Sequence, residues 1–156
     1  MKSLRCIVLA TDFSPSSERA FEEALEIAGT GGGNLLIVHA YQPASLLPTD
    51  IAAVPAVYAE LDESLRENSE KRLEALSGRA REKGVAARPL LLSGTPEEAI
   101  VDLAKQEGAD LIVMGTAGRR GVAGLLLGSV ASRVIATAPC PVLTVRAATP
   151  RGPRVL

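Results

Sequence analysis

Five short apolar runs separated by four helix-like stretches constrain this 156-residue chain more than any single motif does. "LRCIVLATD" (4–12), "NLLIVHAY" (34–41), "ARPLLLSG" (87–94), "ADLIVMG" (109–115) and "PVLTVRA" (141–147) read as strands. Their nearly continuous apolar character is that of strands buried on both faces. In the first intervening stretch Ser14 suits an N-cap, Pro15 the first helical position and Gly29 the C-terminal end. Ala20, Phe21, Ala24, Leu25 and Ala28 make one apolar stripe there. A long helix is predicted from Val57 to Lys83, with Leu61, Leu65, Leu73, Leu76 and Ala80 on one side. The third helix has a start signal in Thr95, Pro96 and Glu98, and the fourth runs from about Ser129 to Ala138. This alternation predicts an α/β fold: a single-domain, Rossmann-like open parallel five-stranded sheet with helices on both faces.

The chain is long enough to bury a core without a metal or disulfide staple. A net charge of −1 argues against nucleic-acid binding, which needs a basic face, and with two Phe, two Tyr and no Trp there is little to stack on bases. Apolar runs of about half a dozen residues are too short to span a membrane, and "MKSLRCIVLATD" does not read as a signal peptide. Cys6 and Cys140 form neither a metal-ligand spacing nor a disulfide framework, so reduced thiols in a cytoplasmic protein are expected.

In open parallel sheets ligands bind outside the carboxyl ends of the strands, where the strand order reverses. Attention therefore falls on Asp12, on His39–Tyr41, and on the segment between Met114 and Ser129, which holds five glycines at 115, 118, 121, 124 and 128. Neither a P-loop nor a G-x-G-x-x-G after the first strand is present. Gly115 and Gly118 would let backbone approach a ligand without Cβ atoms in the way. Gly128 and Ser129 open a helix, where free N–H groups favour an anion, and the Ser129 hydroxyl can add a bond. Arg119 and Arg120 can pair with outer phosphates. The competing reading is a turn in which Ser129 only caps its helix.

The spacing Gly115-x2-Gly118-x9-Gly128-Ser129 resembles the ATP-binding motif of the universal stress protein family. "ATDFSPSSERAFEEALEIA", "LLIVHAY" and "APCPVLTVR" resemble that family's first strand and helix, second strand and closing strand, so the likeness spans nearly the whole chain. The resemblance implies an adenine nucleotide hydrolase-like sheet of order 3-2-1-4-5, a domain over 1–147 and a flexible tail over 148–156. It implies that Asp12 contacts the ribose and that the Ala40 backbone reads the purine edge. Ala10 and Thr11 would line base and sugar, and Met114 would be among the nucleotide-binding residues. Gly115, Gly118, Gly128 and Ser129 would hold phosphates, with Arg119 and Val130 beside them. Many relatives carry His before the second glycine, where this chain has Ala117. His39 is expected to be a packed, hydrogen-bonded core group. The family pairs its last strand across a two-fold axis, and an apolar edge at Pro141–Arg146 fits a homodimer; the competing reading is a short edge blunted by Pro139, Pro141 and Arg146.

Three function classes are compatible with these residues. The first is an ATP-binding regulatory switch in the stress response, with Mg²⁺ arriving on the phosphates, acting on an unidentified protein partner. The second is a slow ATPase or self-phosphorylating enzyme. The third is a nucleotide-independent, chaperone-like dimer. The one candidate base near the glycine loop is Asp12, which the resemblance places at the ribose instead, whereas all the loop glycines are present, which favours the switch. ATP and AMP would share the same base and ribose contacts. The 42–57 segment is a candidate lid.

Overall fold

A computed structural model describes residues 3–43, 55–117 and 127–147. Five strands, β1 (Cys6–Ala10), β2 (Asn34–Tyr41), β3 (Ala87–Ser93), β4 (Leu111–Gly115) and β5 (Val142–Val145), alternate with four helices. These are α1 (Pro15–Gly31), α2 (Pro55–Glu82), α3 (Pro96–Gln106) and α4 (Ser129–Thr137). All strand pairings are parallel and the order is β3-β2-β1-β4-β5, as expected. The chain moves outward from β1 to β3, then returns across the sheet to β4. Right-handed crossovers put helices of opposite travel on opposite faces.

Side chains alternate across the pleat. Ile7, Leu9, Leu35, Ile37 and Val113 point to one face and join Phe21, Leu25, Leu73, Leu76 and Ala80 of α1 and α2. Val8, Ala10, Leu36, Val38, Ile112 and Met114 point to the other and join α3 and α4 through Ile100, Val101, Ala104, Ala131 and Val134. Both faces are apolar, which is why the strands read as continuous apolar runs. The edge strand β3 contains Pro89, which is tolerated where no further strand needs its N–H. The start of β1 is tied down by Asp110, whose Oδ2 accepts from the N–H groups of Arg5 and Cys6 at 2.9 and 3.1 Å.

Helix ends differ from expectation in three places. α1 passes through Gly29 and ends at Gly32, whose φ of +68° supplies the left-handed cap that an L residue resists. Thr95 is the N-cap of α3, but its side chain makes no capping bond. Instead the Glu97 carboxylate accepts from its own backbone N–H, the principal reason it titrates below the usual carboxylate range. The predicted apolar stripe of α2 is buried only in its second half. Leu73 and Leu76 lie against the sheet, whereas Leu61 and Leu65 are 44% and 37% exposed. Cys6 and Cys140 are free and half-buried, and burial raises both thiol pKa values. No described helix is long and apolar enough to cross a membrane. The proposed lid lies largely in 44–54, outside the described residues, as does the 148–156 tail.

Candidate functional site

The strand order reverses between β1 and β4, and a cleft opens at the carboxyl ends of those strands. Its floor is Ala10 and Thr11 from β1 and its exit, Val38 and Ala40 from β2, and Met114 and Gly115 from β4. The N-terminal turns of α3 and α4 form its walls, through Pro96, Ile100, Ser129 and Val130. Asp12 and Gly128 stand at the rim loops. Nine residues singled out in the sequence, Ala10, Thr11, Asp12, Ala40, Met114, Gly115, Gly128, Ser129 and Val130, therefore line one cleft. Gly118 and Arg119, with Arg120, lie outside the described residues.

The β1–α1 turn is tightly determined. Asp12 Oδ1 accepts from the Ser14 N–H at 3.0 Å, and Thr11 Oγ1 accepts from the Phe13 N–H at 3.0 Å. Ser14 caps α1 as predicted, its hydroxyl accepting from the Ser17 N–H. Phe13 is the one non-glycine residue with positive φ (62°) among those described. Such a conformation costs on the order of 1–3 kcal/mol for a non-glycine residue and persists only where surroundings impose it. Here the Phe13 ring lies between His39, at 4.7 Å between centroids, and the Arg72 guanidinium of α2, 4.2 Å above the ring. His39 Nδ1 donates to the Thr11 carbonyl at 2.7 Å. A carbonyl only accepts, so Nδ1 carries the proton. His39 is hydrogen-bonded as expected, but it stands in the cleft wall and is only half-buried.

On the opposite side, the β4–α4 loop leaves β4 through Thr116 and Ala117 and re-enters at Gly128, whose N–H donates to the Thr116 carbonyl at 2.5 Å. The N-cap of α4 is Gly128, with Ser129 the first helical residue, so Ser129 does not cap the helix. The first-turn N–H groups of α4 thus open beside the cleft, a geometry suited to an anion. Gly115 has a packing reason for lacking a side chain. A Cβ there would stand 2.9 Å from the Ser16 carbonyl carbon and Cβ, and closer still to Ser16 Oγ. Sequence reading placed that glycine by ligand approach alone and missed this contact. It also missed Ile100, Pro96, Ala131 and Ser17, which line the cleft from helices whose placement only the topology supplies. Among the described residues no group of three or more His, Cys, Asp or Glu could hold a metal ion.

A family model described as the universal stress protein family matches residues 4–146. A universal stress protein of Thermus aquaticus is 43% identical over 144 residues, covering 91% of this chain and 98% of the relative. Among solved structures, protein MJ0577 of Methanocaldococcus jannaschii superposes with a TM-score of 0.83 at 27% identity, covering 95% of this chain and 99% of its own. A universal stress protein in complex with cAMP superposes with a TM-score of 0.66 at 30% identity, over 94% and 100% of the two chains.

Proposed function

This chain belongs to the universal stress protein family, and on that premise we propose that it binds an adenine nucleotide in the cleft and acts as a nucleotide-dependent regulatory switch in the stress response. The observation that carries the reading is the convergence of nine sequence-selected residues, from three strands, two loops and a helix start, on one cleft at the reversal of strand order. The cAMP complex of a relative at 30% identity supports an adenine ligand. In this reading the Ala40 backbone reads the purine edge and Asp12 meets the ribose. Gly115, Gly128, Ser129 and the 118–120 stretch take the phosphates, and Mg²⁺ travels with ATP. The protein works in the cytoplasm as a homodimer paired through Pro141–Arg146. The edge position of β5 supports that pairing, as do the exposed Leu143 on it and Ile135 on α4.

Calorimetric titration of the nucleotide-stripped protein with MgATP, AMP and GTP tests this proposal. The wild type should bind ATP and AMP and prefer them to GTP. Ala10→Leu, which fills the cleft floor, should stay folded and bind roughly tenfold or more weakly, as expected when an overpacked side chain displaces the ligand. A folded, stripped wild type that binds no adenine nucleotide overturns the switch reading in favour of a dimer that works without one.

A further inference from the structure

Between the two loops of the cleft lies a knot of buried hydroxyls. Thr11, Ser14, Ser16 and Ser17 are 7%, 3%, 2% and 2% exposed. Thr11 Oγ1 donates to Ser17 Oγ at 3.0 Å, and Ser17 Oγ donates to the Ser14 carbonyl at 2.9 Å. Ser14 Oγ lies 3.2 Å from Ser16 Oγ. Helix capping needs one such hydroxyl, and Ser14 already supplies it. Buried hydroxyls are costly unless bonded, so the others call for a separate reason.

Their bonds lead across to the other loop. Ser16 Oγ donates to the Ala117 carbonyl at 2.5 Å, with Ser14 Oγ at 3.5 Å from the same oxygen. Beside this bond, the side chain missing at Gly115 lets Ser16 rest directly on the end of β4. The bond thereby anchors Ala117, the last described residue before the glycine-rich stretch assigned to phosphate. The Ala117 side chain is a methyl group and contributes no hydrogen bond of its own to orient the loop.

We infer that Ser16 is a positioning residue for phosphate recognition: by holding the Ala117 carbonyl against the first turn of α1, it sets the base of the β4–α4 loop relative to Thr11 and Asp12. Ser16 is absent from the cleft lining, so it acts through the loop and not by touching ligand. The inference rests on the nucleotide reading above and adds a residue that discriminates phosphorylated from unphosphorylated ligands.

The test compares MgATP with adenosine, which has the base and ribose but no phosphate, in the wild type, Ser16→Ala, Ser16→Cys and the control Thr30→Ala. The Thr30 hydroxyl donates to the Glu26 carbonyl on the exposed side of α1. Losing the Ser16 donor should weaken ATP binding roughly tenfold, the range for a buried acceptor left unpaired, while adenosine changes by less than about twofold. Cys, a weaker donor of similar shape, should fall between, and Thr30→Ala should change neither ligand. In the ligand-free protein, amide exchange should quicken at Thr116, Ala117 and Gly128 but not at Phe21 or Ala24. Equal weakening of both ligands, or faster exchange throughout α1, would make Ser16 merely structural and overturn the inference. If the wild type binds ATP and the variants keep its ATP-to-adenosine ratio, the inference fails and the nucleotide reading stands. If the wild type binds neither ligand, the nucleotide reading fails and takes the inference with it. Should Ser16→Ala not fold, Ser16→Cys carries the same readouts.

Discussion

The two faces of the sheet use alternate residues of the same strands, yet over β1 one is filled by side chains and the other holds a cleft. On the filled face α1 lies over β1 and β4 and α2 over β2 and β3. Phe21, Leu9, Ile37 and Leu73 fill the space between them to 1% exposure or less. On the other face α3 lies over β2 and β3 and α4 over β5, because the chain reverses direction there. The end of β1 falls between their N-terminal turns, over the small residue Ala10. Strand order makes the gap, and side-chain size keeps it open. The same apolar alternation thus serves stability on one side and, in the function proposed above, recognition on the other.

Phe21→Ala should separate the two roles most sharply. Emptying a 1%-exposed aromatic site under α1 should lower unfolding free energy by roughly 3–5 kcal/mol, measured by urea denaturation. Nucleotide affinity per folded molecule should be unchanged, and a large loss would mean that the two faces are coupled through the sheet. Gly115→Ala strikes the seam where α1 meets the cleft. Its new Cβ presses on Ser16, so a cost of about 1–3 kcal/mol is expected, together with weaker nucleotide binding. Unchanged stability would show that α1 moves aside freely.

The smallest effect should come from Glu97→Gln on the cleft face, where Glu97 of α3 pairs with Arg133 of α4. Its own backbone N–H, and then Arg133, hold the carboxyl below the usual carboxylate range. A carboxyl with a lowered folded pKa stabilises above its unfolded pKa, and that contribution disappears as pH falls through the folded value. Glu97→Gln should therefore flatten the acid limb of the stability curve below about pH 4.5 and cost less than about 1 kcal/mol at pH 7. An identical acid limb in the variant would rule out this pair as its source.

The sheet was legible because strands buried on both faces cannot hide their apolar character, and because Ser14-Pro15 and Pro96 mark helix starts by local chemistry. Gly29 and Gly32 were harder to separate: both are glycines near a helix end, and only backbone conformation, φ +68° at Gly32, distinguishes the cap. Leu61 and Leu65 continue the helical period of Leu73 and Leu76, but periodicity says nothing about where the sheet beneath them stops. At the site, glycine spacing and strand ends selected residues that do converge. The contacts of Ser16 with Ala117 and Gly115 join positions about a hundred apart in sequence, and a run of serines after a strand looks like capping until the opposing loop is in place.

The two borders of the sheet are unequal, and in the proposed homodimer that inequality would limit how large an assembly can grow. β3 carries Pro89, and Arg88 beside it is engaged with Glu107 at 2.9 Å. A proline on a border strand blunts the hydrogen-bonding template that another chain would need. β5, Val142–Val145, holds no proline. A subunit with two receptive borders can add copies at both ends and polymerise into a filament. With a single receptive border, pairing across a two-fold axis uses it up in both partners, and growth stops at two.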